Sequence, residues 1–261
     1  MAGIYRMDTL PLTLDILYQD TQLVAINKPA GLLVHRSLID KHETRFAVQL
    51  LRDQLGQKVF PVHRLDKPTS GVLLFALDAQ TARLLSEQFT QRETGKTYLA
   101  LVRGYTAEHG IIDYPLQEQL DRLADAQAAK DKPAQAAITH YRQLQRFELP
   151  FPMGAACQHA LYPAGTFPVP DASTSCGGMK HIFRPIVGDT THGDGKHNRL
   201  FREQFACQRL LLHASCLELE HPQQPGRLRL EAPLPDDFSR IVQAVQASAI
   251  NHGCEARNGQ G

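Results

Sequence analysis

The sequence predicts an α+β fold: a mixed, largely antiparallel sheet flanked by a few helices and loops. Short runs rich in β-branched and aromatic residues recur along the chain, among them Leu23–Lys28, Val72–Leu77 and Thr97–Val102. Helical spacing of apolar residues is confined to a few segments. Strand and helix do not alternate regularly, which argues against a doubly wound sheet. The 261 residues are 43% hydrophobic, enough for one large core, and read as a single domain over 12–249. Residues 1–11 form an extension, and the polar residues 250–261 form a disordered tail.

Taken in order, Leu14–Asp20 and Leu23–Lys28 are two strands around the turn Asp20-Thr21-Gln22, and Pro29 and Gly31 end the second. Phe46–Gly56 has helical spacing and a terminal glycine. Lys58–Val62 and Val72–Leu77 are strands joined by a polar turn. Asp78 caps a helix over Ala79–Gln91 whose apolar face is Ala82, Leu84, Leu85 and Phe89. Thr97–Val102 is a strand. Residues 113–137, with an Ala-, Gln-, Asp- and Lys-rich centre, form an exposed connection. Ala137–Leu144, Arg209–Leu219 and the alternating Arg227–Ala232 are strands, and a helix follows from Pro235 to Ala249.

Composition excludes several function classes. A net charge of +1 announces no nucleic-acid partner, so any basic footprint is local. No apolar run approaches membrane-spanning length, and the N-terminus lacks a signal-peptide pattern, which fits a cytoplasmic protein. Five cysteines without a Cys-x-x-Cys pair predict reduced thiols, and the histidines around His192 lack zinc-ligand spacing, so no metal is expected.

The turn His63-Arg64-Leu65-Asp66-Lys67-Pro68-Thr69-Ser70-Gly71 sets a carboxylate beside a guanidinium at the lip of a sheet. On residue types alone it is either a weak surface ion pair or a reactive site. Tyr98 is, on the same terms, a strand aromatic in the core. Lys180, Arg184, Lys196, Arg199 and Arg202, offset by Asp189, Asp194 and Glu203, are either a balanced solvated loop or a phosphate-binding patch.

The order of residues in that turn resembles the signature of the RluA-type pseudouridine synthases. Asn27–His35 is similar to the first motif of that family, and Lys96–Gly104 to its tyrosine-bearing strand. The resemblance covers about 12–153 and 179–235. Met179–Arg199 is most similar to the branch that acts on tRNA, which implies uridine 65 as target; a ribosomal RNA target is the alternative. The resemblance implies a pseudouridine synthase fold, an isomerase needing no cofactor, a monomer, and Asp66 as catalytic residue. It implies substrate contacts from Arg64, Tyr98, His63, Lys28 and Arg184. Arg64 would fill the space of an extruded base or hold a phosphate, and Tyr98 would lie against the base.

Residues 154–178 break the pattern. Asp171 is the one charged residue between 151 and 178, and Pro152, Pro163, Pro168 and Pro170 argue against a central strand there. The resemblance implies at this place a strand followed by a His-Gln-Leu-Arg motif whose arginine pairs with the catalytic aspartate. That motif is missing. A permitted set of codons for Asp171–Met179, shifted by two nucleotides, encodes Arg-Gln-His-Gln-Leu-Arg-Arg-His. The expectation is therefore an irregular segment translated out of frame, a sheet lacking one strand, and an enzyme of low activity or an RNA-binding protein without turnover.

Overall fold

The computed structural model describes residues 13–36, 43–115, 137–151, 158–166 and 172–249, with the backbone alone for 158–166 and 172–175. The expected extension 1–11, most of the connection 113–137 and the tail 250–261 lie outside the described residues.

Strands β1 (Asp15–Gln19) and β2 (Leu23–Lys28) pair antiparallel around a turn. The Asp20 carboxylate accepts the Gln22 and Leu23 N–H groups in that turn. Helix α1 (Ala47–Leu55) ends at Gly56 with φ +68, the left-handed cap that glycine adopts without strain. Strand β3 is only Phe60–Pro61. It pairs with β4 (Ser70–Ala76), so the polar turn runs from 62 to 69. Helix α2 (Ala79–Gln91) starts as expected, with Asp78 accepting the Thr81 N–H at 2.8 Å. Then come β5 (Gly95–Arg103), β6 (His109–Asp113), β7 (Ile138–Arg142) and β8 (Gln145–Glu148).

The described parts of the segment expected to be irregular are regular. Residues 158–166 form β9, in register with β5 from Lys96↔Thr166 to Arg103↔His159, and Ala172–His181 form α3. The sheet keeps this strand. Pro163 is tolerated because it lies between the residues registered against β8 (158–161) and those registered against β7 (164–165). Sequence patterning also misses β6, β8 and α4 (Gly195–Phe205). Glycines and charges hide the periodicity of α4, but Asp194 caps it and His197, Phe201 and Phe205 fall on one buried face. Strands β10 (Leu212–Glu220) and β11 (Arg227–Glu231) and helix α5 (Asp236–Ser248) complete the chain.

The main path through the sheet is β1-β2-β4-β10-β5-β9-β7-β6. It is mixed: β4 and β10 run parallel through two residue pairs, Ser70↔His213 and Gly71↔Ala214, while the other pairs are antiparallel. Alternation sends Val24, Ile26, Leu73, Phe75 and Tyr98 to one face, covered by α1 and by Cys176 and Met179 of α3. The opposite residues, such as Leu23, Ala25, Val72 and Leu74, pack under α2. Leu101 and Leu211 pack with Phe201, Phe238 and Ile241 of α4 and α5.

Strand directions decide where the chemistry sits. The end of β2, the start of β4, the start of β10 and the end of β5 lie at one end of the sheet. The segment 185–187 wedges in there: Val187 donates to Leu101 O and accepts from Leu211 N–H, both at 2.9 Å.

Candidate active site

Asp66 lies half-buried in the turn before β4. Its carbonyl accepts the Thr69 N–H at 3.0 Å, and Thr69 and Ser70 are fully buried, so the turn is anchored directly behind the carboxylate. The loop after β2 is stitched to it. Gly31 N–H donates to Lys67 O at 2.7 Å. The Lys28 ammonium donates to Pro29 O at 3.0 Å, Leu32 O at 2.8 Å and Lys67 O at 3.3 Å.

Those contacts show what surrounds Lys28 in the fold. It is fully buried and donates to main-chain carbonyls of both loops, which ties them together. Burial, then the Arg209 charge, lower its pKa, and the Asp66 charge opposes them; the result is about 7.

His63 also makes contacts within the fold. Its Nε2 accepts the Leu74 N–H at 3.0 Å and its ring stacks on Phe89 at 4.7 Å. Burial and the Lys96 charge push its pKa down to about 3, so the ring is neutral and holds the hairpin to α2. Tyr98 is 3% exposed and packs in the cluster that contains Leu65 and Ala214.

Arg64 is exposed at the rim. Its charge, second to burial, lowers the pKa of His35 from the loop after β2. Asp66, Arg64 and the Lys28 tether are thus brought together. Arg184 is not: it lies beyond the end of β5, over Gly104, donating Nε to Tyr105 O and Nη1 to Phe183 O at 2.9 Å. Lys196, Arg199 and Arg202 are exposed on α4, while Asp194 also pairs with Arg103 at 2.5 Å.

Sequence reasoning passed over a buried polar network under the turn. Arg209, 5% exposed, donates to Ser70 Oγ at 2.5 Å, Asp237 at 2.8 Å and Leu210 O at 3.1 Å. Ser70 Oγ is 2.9 Å from His213 Nδ1, and His213 Nε2 is 3.2 Å from Ala232 O. A carbonyl only accepts, so Nε2 carries the proton and Ser70 donates to Nδ1. Burial accordingly lowers the His213 pKa to about 4. The available signal was Arg209 and His213 flanking the apolar run Leu210–Leu212. Among the described residues no group of three or more His, Cys, Asp and Glu is placed to hold a metal ion, and no helix is long and apolar enough to cross a membrane.

A carboxylate fixed at the end of a mixed sheet, with an exposed cation in the same turn, is suited to attack or proton transfer at a bound substrate. Comparison with known proteins decides the family. The model of the RNA pseudouridylate synthase family matches residues 22–199. The chain belongs to the RNA pseudouridylate synthases. A relative from Vibrio cholerae, named tRNA pseudouridine synthase C, is 53% identical over 238 residues, covering 88% of this chain and 94% of the relative. One of the same name from Haemophilus influenzae is 48% identical over 232 residues, covering 88% and 96%. The human RNA pseudouridylate synthase domain-containing 4 structure superposes with a TM-score of 0.65 at 24% identity, covering 89% of this synthase and 93% of that chain, and so shares its fold.

Proposed function

We propose that this synthase isomerises uridine to pseudouridine in tRNA, at uridine 65, with Asp66 as the reacting carboxylate. The observation that carries the reading is Asp66 itself: a half-buried carboxylate on an anchored turn, held against the loop after β2 by Lys28. The relatives' shared name supports tRNA as substrate. The reaction breaks the N1–C1′ bond of uridine, turns the base and joins C5 to C1′, moving one proton from C5 to N1. Substrate and product have the same atoms, so the chemistry consumes no co-reactant. Asp66 attacks the sugar or takes a ribose proton. The base must leave its stack to reach it, and Arg64 at the rim is placed to fill the gap or hold a phosphate. Acting on tRNA fits a cytoplasmic enzyme, and we further propose that it acts as a monomer.

Tritium release from tRNA labelled at uracil C5 tests this. Asp66→Asn is expected to abolish release while changing tRNA affinity less than a few-fold. Equal release by parent and Asn variant would sink the assignment of Asp66.

A second reading, tRNA binding with impaired turnover, is favoured by one observation: residues 154–178 hold no His-Gln-Leu-Arg motif. Filter binding without tritium release would establish it. We further propose that this segment is read out of frame, which the coding DNA across 150–180 decides.

A further inference from the structure

We infer that Phe183 is a stacking platform for a nucleotide base of the RNA substrate, flanking the sheet end where Asp66 lies; this rests on the reading that the chain binds tRNA. Phe183 is 81% exposed, more than any other large apolar side chain among the described residues, where Ile111 follows at 65%. Its neighbour Ile182 packs on the core and its own ring does not.

The backbone makes this exposure a held state. Phe183 N–H donates to Lys180 O at 2.9 Å, and Arg184 N–H donates to Met179 O at 2.8 Å, closing the C-terminus of α3. That closure places Phe183 at φ +59, the left-handed position usually given to glycine. An aromatic there gains no burial and carries backbone strain, so folding does not account for it.

The surroundings match a nucleic-acid strand. Arg184 is fixed beside the ring through Phe183 O and packs along Gly104. Lys180 is exposed one turn back, and His181 stacks on Tyr114 at 3.7 Å. Arg146 lies over the Tyr105 ring at 5.2 Å, and Tyr105 O accepts from Arg184. Cations interleaved with aromatic faces bind bases by stacking and backbone by charge. The patch borders the same end of the sheet: Arg103 N–H donates to Pro185 O at 3.0 Å, which ties this turn to the end of β5.

The test uses the full chain and unmodified tRNA, measuring affinity by fluorescence anisotropy at several salt concentrations, with thermal melts in parallel. Phe183→Gly is expected to weaken binding about ten-fold, the loss of one stacked base. Its salt slope should stay that of the parent, because no phosphate contact is removed. Its melting temperature should not fall, because glycine accepts a positive φ freely. Phe183→Tyr should bind within about two-fold of the parent. Equal affinity for Phe183→Gly and parent would overturn the platform alone. A clear drop in melting temperature, showing a structural role for the ring, would also overturn it. A parent that binds no tRNA would overturn the functional reading and the platform together.

Discussion

Gly71→Ala is expected to separate the two parts of the sheet at the point that positions Asp66. Gly71 has φ +115, and a Cβ there would lie 2.1 Å from Ala214 O, 2.6 Å from its carbonyl carbon and 2.7 Å from its nitrogen. Contacts under 3.0 Å essentially do not occur for real Cβ atoms. All three atoms are main chain, so no side chain can swing aside. Strands β4 and β10 must part by about 1 Å, or φ must rotate away from its position. Only two residue pairs join these strands, and Gly71↔Ala214 is one of them. Strain at a positive φ is worth about 1–3 kcal/mol, and each weakened hydrogen bond about 1 kcal/mol. The total is roughly 3–5 kcal/mol, or a fall in melting temperature of roughly 5–10 °C for a chain of this size. The displacement reaches Asp66 through Ser70 and Thr69, both fully buried. A shift of about 1 Å at a reacting group costs on the order of 100-fold in rate. Differential scanning calorimetry and single-turnover tritium release at 20 °C measure both effects. A melting temperature within about 2 °C of the parent, together with turnover within about two-fold, would refute the reasoning. A large thermal loss with unchanged turnover would show that the strand joint stabilises the fold without placing Asp66.

Lys28→Met is expected to lower turnover about ten-fold or more with little change in tRNA affinity, since it unties the loop after β2 from Lys67. The same variant should lose an alkaline stability slope. Between the folded pKa of about 7 and the unfolded value of 10.5, only the unfolded parent holds the Lys28 proton, so the parent gains stability as pH rises through that window, by up to about 5 kcal/mol. Parallel urea titrations of parent and variant from pH 7 to 10 check this, and identical slopes would count against it. On the acid side His213, with a folded pKa of about 4 against 6.5, contributes stability that is complete above pH 6.5 and lost as pH falls toward 4, by up to about 3 kcal/mol. His213→Gln should flatten that slope, seen as a smaller difference between melts at pH 7 and pH 4.5. Replacing Asp171–Gly178 by Arg-Gln-His-Gln-Leu-Arg-Arg-His is expected to raise pseudouridine yield in mass-spectrometric analysis of digested tRNA. Equal yields would mark the segment as tolerated variation.

What was legible in the sequence was what short-range chemistry dictates. Asp78 capping α2, Gly56 ending α1 and the polar turn between β3 and β4 each depend on neighbours within a few residues. The place of Asp66 on a turn between two strands was legible too, because Pro68 and Gly71 punctuate the polar run. Long-range contacts decided the rest. The three carbonyls around the Lys28 ammonium, and the contacts of His63 with Leu74 and Phe89, are not readable from local sequence. Strand β9, with Pro163 inside it, forms because β5 presents a full ladder on one side while the break between β7 and β8 spares the proline on the other. The parallel pairing of β4 with β10 joins residues 143 positions apart, and it alone brings Arg209 and His213 beneath Ser70. A local pattern records which residues can pair and cap. Which polar groups end up desolvated, and against what, is set only when distant strands meet, because the free energy of a buried charge depends on every partner around it.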